Sequence, residues 1–100
     1  MNKKYLVKNQ PQAKQAFKQE LAVVLAKINK QQLASRFLSD LLTPTEFNDV
    51  ALRWQIVKLL NKGLSIREVA FRLGVATATV ERGSRELKYS KLRGFHEVLK

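Results

Sequence analysis

Phe17, Leu21, Val24, Leu25 and Ile28 stand three and four residues apart, the spacing that puts side chains on one face of an α-helix. Pro11 precedes them where a first helical residue belongs, because its missing N–H costs nothing in an opening turn. The pattern predicts an amphipathic helix of about five turns. "NKQQ" then offers Asn29 as a cap with Gln32 three positions on, and Leu33, Phe37, Leu38, Leu41 and Leu42 carry the stripe into a second, shorter helix. "TPTE" combines a capping threonine, Thr43, a proline at the first helical position and a glutamate, Glu46, that can bond back to the cap. A long helix should start there, turning Phe47, Val50, Trp54, Val57 and Leu60 inward and stopping at Gly63, a left-handed cap. Strand signals are missing; "LAVVLAK" has too few β-branched residues and the wrong period.

The next stretch shortens the rhythm. "SIRE", residues 65–68, is a second capping box opening a helix of about two turns that Gly74 closes. Another helix follows from Ala76 or Thr77. Two short helices joined by a tight glycine turn form a helix-turn-helix, and the side chains suit it. Val69, Leu73, Val75 and Val80 can fill the angle, and small Ala70 lets the second helix approach. In this motif the second helix enters the major groove while the first crosses the phosphate backbone. Thr77, Ala78, Thr79 and Glu81 are then candidates to meet base edges: threonine can bond a base or touch a thymine methyl, and a glutamate accepts from a cytosine amino group. Arg67 can reach a guanine or a phosphate, and Arg72, Arg85 and Lys88 suit phosphates. For each, the alternative is a solvated surface side chain.

Charge strengthens this reading. The chain has 100 residues and a formal net charge of +11, which points to a polyanion, most often nucleic acid. Lysines that only maintain solubility are the plain alternative. An acidic membrane surface is disfavoured, since no helix sets a basic face against a bulky aromatic one. The chain lacks cysteine, so disulfides and the commonest zinc frameworks are excluded and the chain would be indifferent to a reducing cytoplasm, where a soluble protein is expected. No apolar run approaches the roughly 20 residues needed to span a bilayer, and the lysine-bearing opening is not followed by the apolar core of a secretion signal. With a single histidine, His96, a metal cluster or catalytic triad has no basis, and no glycine-rich phosphate loop has the right spacing. An enzyme is not expected.

The segment "LLTPTEFNDVALRWQIVKLLNKGLSIREVAFRLGVATATVERGSRELK", residues 41–88, resembles the tryptophan repressor family in the order of its motifs: LTP, an arginine on the third helix, then a short helix-turn-helix running into RGS. The resemblance implies an all-α intertwined homodimer of about six helices per chain that binds double-stranded DNA at a palindromic operator. With "KLRGFHEVLK" as a last helix, Leu92, Phe95 and Leu99 inward, the residue pattern reaches the same number. Residues 1–100 then form one helical domain: dimerisation helices in 1–42, a central helix in 43–63, the helix-turn-helix in 65–88 and a C-terminal helix in 91–100. The expected function is sequence-specific, repressor-like transcriptional regulation. The alternative is a helix-turn-helix serving a transposase, or an accessory protein that binds nucleic acid without sequence preference.

Gly83 interrupts the helical run "ATVERGSRELK", where glycine costs about 1 kcal/mol relative to alanine. The resemblance supplies one reason: L-tryptophan or another small corepressor lies against this glycine between two arginines that match Arg53 and Arg82, with Thr43 and the carbonyls of Leu41 and Leu42 from the other subunit closing the wall. Two features depart from the tryptophan-sensing pattern. Glu86 stands where the family has a serine facing the ligand's polar head, and can instead pair with Arg82 one turn back. The turn before "SIRE" is one residue shorter, as in a less characterised branch of the family. The other reason for Gly83 is close helix packing. Trp54, on the apolar face beside Arg53, is expected to fill the core or line a pocket.

Overall fold

In a computed structural model that describes residues 11–100, the chain forms six helices: α1 (Pro11–Lys27), α2 (Gln31–Leu41), α3 (Pro44–Asn61), α4 (Ile66–Leu73), α5 (Thr77–Tyr89) and α6 (Gly94–Val98). The described residues contain no strand. The opening "MNKKYLVKNQ", part of the segment assigned to dimerisation, lies outside the described residues. The chain divides into two compact units, one ending at Leu41 and the other running from Leu42 to Lys100.

The first unit carries α1 and α2, and its helices meet the expected positions with one shift at the cap. The Lys30 carbonyl accepts from the Ala34 N–H at 3.0 Å, so Lys30, rather than Asn29, precedes the first turn of α2. The apolar stripe is real but largely uncovered. Phe17 is 71 % exposed, and Leu21, Val24, Leu25, Leu33 and Leu41 are also exposed; Ile28, Phe37 and Leu38 are half-buried.

The second unit is organised by its helix ends. Thr43 caps α3: its Oγ1 accepts from the Glu46 N–H at 3.1 Å, and its own N–H donates to the Glu46 carboxylate at 2.8 Å. Ser65 and Glu68 repeat the reciprocal pair at α4, at 3.1 and 3.3 Å. Both helices stop at glycines with positive φ, Gly63 at 96° and Gly74 at 66°. At each stop the two N–H groups that leave the helix fold back on its last turn: Gly63 to Leu60 and Leu64 to Leu59, then Gly74 to Phe71 and Val75 to Ala70. This paired closure satisfies carbonyls that the helix leaves open and needs a left-handed residue, hence glycine.

Between these caps lies a small core. Ile56, Val69, Ala70 and Val80 are buried together, and Leu52, Leu59, Leu60, Leu64, Ile66, Leu73 and Val75 pack around them. Val69, Ala70, Leu73, Val75 and Val80 thus fill the angle between α4 and α5 as their spacing predicts. Val57 is also fully buried. Two expected inward residues are not: Val50 is 45 % exposed and Leu92 is 95 % exposed. Leu92 falls before α6, which begins only at Gly94, so no helix turns it inward. Phe95 and Leu99 are half-buried.

Candidate DNA-facing helix and adjoining cleft

Helix α5 presents three faces, and its sequence explains each. Val80 and Gly83 are buried and Leu87 is half-buried, a stripe at three- and four-residue spacing that holds the helix to α3 and α4. Ala78, Glu81, Arg85 and Lys88 follow the same spacing one side round and are all exposed. Thr79, Arg82 and Glu86 form the third face, which lines a cleft. Thr77 at the first turn is exposed as well. The candidate base-reading set therefore divides: Ala78 and Glu81 share a face with Arg85 and Lys88, whereas Thr79 borders the cleft. Lys88 sits with its ammonium 5.7 Å from the centre of the Tyr89 ring. On α4, Arg67 and Arg72 are exposed opposite the buried Val69 and Ala70.

The cleft lies between α3 and α5, encloses about 210 Å³, and is lined by Asp49, Leu52, Arg53, Ile56, Thr79, Arg82, Gly83 and Glu86. Four of the residues that the resemblance assigns to a corepressor meet here: Arg53, Arg82, Gly83 and Glu86. Thr43 is occupied in capping α3, Leu41 is exposed and Leu42 half-buried. Glu86 and Arg82 do not form the pair their spacing allows; the ion pair among the described residues is Lys100 with Glu97, at 3.2 Å on the surface.

Asp49, Leu52 and Ile56 were not singled out by motif. Helical spacing from Arg53 identifies them, at one turn before, one residue before and three residues after. Ile56 matters most, because a Cβ built on Gly83 would stand 2.5 Å from its Cγ2. Close packing of α3 on α5 is thus sufficient reason for the glycine, and Gly83 forms part of the cleft floor as a consequence.

Trp54 is half-buried and borders a second, apolar groove with Ser90, Gly94, Phe95 and Val98. His96 is half-buried, and its enclosed Nδ1 has no hydrogen-bond partner among the described residues. Among the described residues no three His, Cys, Asp or Glu side chains converge to hold a metal, and no helix is long and apolar enough to cross a membrane. Hydrogen bonds from the Thr43 backbone and side chain hold the Glu46 carboxyl below its ordinary value.

Residues 15–100 match the family model described as Trp repressor protein. A "Trp operon repressor homolog" of Actinobacillus succinogenes is 45 % identical over 60 residues, 59 % of each chain, so the match spans well under two thirds of that relative's length. The homologue of the same description from Pasteurella multocida is 39 % identical over 73 % of this chain and 69 % of its own, and that of Chlamydia trachomatis serovar D is 36 % identical over 70 % and 76 %. No solved structure matches at a significant level. Members of the matched family are DNA-binding, non-enzymatic transcription regulators. Six helices without a strand among the described residues, two capping boxes at the expected positions, and a family match covering residues 15–100 lead to one conclusion: the chain belongs to the Trp repressor family.

Proposed function

We propose that the chain is a sequence-specific, repressor-like transcriptional regulator that reads a palindromic DNA duplex as a homodimer. The observation that carries this is the division of labour on α5. Val80 and Gly83 anchor the helix while Ala78, Glu81, Arg85 and Lys88 remain exposed along one side. An anchored helix with a short, mixed polar and basic free face suits a major groove, where Glu81 and Ala78 read bases and Arg85 and Lys88 hold phosphates. Arg67 and Arg72 on α4 add backbone contacts, Thr77 lies at the entering end, and Thr79 reads a base from the border of the cleft.

The homodimer is supported by the uncovered stripe of α1 and α2. Isolated helices of this length are marginal in water, so an apolar stripe this exposed requires a partner surface. A second copy supplies the symmetric partner a palindrome needs, its two recognition helices about one helical turn of DNA apart. A small corepressor such as L-tryptophan occupies the cleft beneath α5, between Arg53 and Arg82 and above Gly83, with Glu86 at its polar end and Leu41, Leu42 and Thr43 of the second copy as its remaining wall.

Selection of bound fragments from a random duplex pool at two salt concentrations tests the main proposal. An enriched motif with two half-sites is expected. A sequence-blind isotherm, falling by about 0.9 in log affinity per phosphate contacted for each tenfold rise in salt, would instead identify a nonspecific binder.

A further inference from the structure

The exposed side of α5 does not end with the helix. Tyr89 follows Ala78 by about three helical turns, so it returns to the side that carries Ala78 and Arg85. It is 68 % exposed, and the Lys88 ammonium lies 5.7 Å from the centre of its ring. The chain then turns at once: Ser90 Oγ accepts from the Arg93 N–H at 3.0 Å, and Arg93 takes a left-handed φ of 57°. Lys91 and Arg93 are exposed in this turn. No acidic residue occurs between Glu86 and Glu97, and the Glu97 carboxylate is paired with Lys100. Lys88, Lys91 and Arg93 therefore carry their charge without an ion-pair partner among the described residues. Elsewhere on α4 and α5 carboxylates interrupt the basic residues, at Glu68, Glu81 and Glu86.

Length decides what this corner can reach. From Ala78 to Tyr89 the helix rises about 16 Å at 1.5 Å per residue, more than the roughly 12 Å width of a major groove. In a helix that enters the groove by its N-terminal residues, the last turn and the chain after it stand over a flanking phosphate strand. We infer that the α5–α6 corner is a second DNA-contact surface, in which the Tyr89 hydroxyl, Lys91 and Arg93 bind backbone phosphates outside the bases that α5 reads. The inference rests on the DNA-binding reading and extends the footprint of each half-site beyond the helix-turn-helix. A phenol donates one hydrogen bond to a phosphate oxygen, and a guanidinium can donate two in parallel. Arg93 is the most informative position: glycine would adopt its backbone conformation without cost, yet the chain keeps a guanidinium there. Such contacts carry no sequence information; they set affinity and register.

Fluorescence anisotropy with the full chain and a mixed-sequence DNA duplex, over a series of salt concentrations, tests the corner. Lys91→Ala and Arg93→Gly should each lower the slope of log affinity against log salt by about 0.9, and together by about twice that. Tyr89→Phe keeps the ring beside Lys88 and should weaken binding about tenfold at constant slope, the worth of one hydrogen bond to a charged group. Arg93→Gly also separates contact from folding, because it relieves the left-handed backbone: affinity should fall while the melting temperature holds or rises. Lys27→Ala removes one charge from α1 and is expected to leave the slope as it is. A wild-type slope in the Lys91 and Arg93 variants, or an equal drop in Lys27→Ala, overturns the corner as a contact surface and leaves the DNA-binding reading intact. A wild-type chain that binds no duplex at any salt concentration removes both.

Discussion

Gly83 shows how a single position can satisfy two demands. A Cβ there would stand 2.5 Å from Ile56 Cγ2, a branch fixed to the Cβ of a stiff side chain that cannot swing aside cheaply. Gly83→Ala gains about 1 kcal/mol of helix propensity but overpacks α3 against α5 by about 1–3 kcal/mol, so a net loss of stability in urea titrations is expected. In an Ile56→Leu background, which lacks the branch and costs under about 1.5 kcal/mol by itself, the same substitution should become neutral or stabilising. Additive effects would show that the contact does not govern the position. A bulky residue at 83 would disturb the packing against Ile56 whatever the cleft holds, so Arg82→Ala is the cleaner variant for testing the proposed ligand. Arg93 is a second residue-scale case. It holds φ at 57°, a left-handed conformation costly for a residue with a Cβ, and Arg93→Gly should raise stability by about 1 kcal/mol in thermal melts.

At the scale of the element, capping boxes dictate where α3 and α4 begin. Ser65→Ala removes the acceptor for the Glu68 N–H and should destabilise by about 1 kcal/mol, with loss of helicity by circular dichroism centred on the second unit. The α3 box titrates. Because the folded Glu46 carboxyl lies below its ordinary value of 4.5, its contribution is complete above that value and is lost as pH falls through the lower folded one. The difference in melting temperature between wild type and Glu46→Gln should therefore be present at neutral pH and shrink in acid; a constant difference would mean the charge is irrelevant to the cap. Helix α5 contrasts with these two. Its N-terminal position is Ala76, with no side-chain cap, and its placement depends on Val80 and Gly83.

For the whole molecule, charge and uncovered apolar surface make different predictions. Sedimentation at micromolar concentration should show a dimer, and Leu25→Glu on the exposed stripe of α1 should shift it towards monomer; a monomeric wild type would reject the pairing of copies. Arg85→Ala or Lys88→Ala should weaken binding to all duplexes alike and reduce the salt slope by about 1, whereas Glu81→Ala should change which duplex is preferred. The formal charge of +11 drives the first effect through long-range attraction to phosphates. Sequence preference needs the short-range contacts of the exposed side of α5.

What the sequence determined by itself was local. Caps, helix stops and the apolar period depend on residues within a turn or two, so "TPTE", "SIRE", Gly63 and Gly74 predict the boundaries of α3 and α4 without knowledge of neighbours. The resemblance to the Trp repressor family was legible for the same reason, being carried by short ordered motifs. Only the tertiary structure decided which of two reasonable faces a residue uses. Arg82 and Glu86 are spaced to pair yet stand unpaired beside a cleft, and Thr79 leaves the outward face to border it. Ile56, not an expected core residue, dictates the glycine opposite. Val50 and Leu92 keep their apolar character but lack cover. Periodicity marks a stripe on one helix; the residue that meets it across the gap is chosen by helix crossing, which no local pattern encodes.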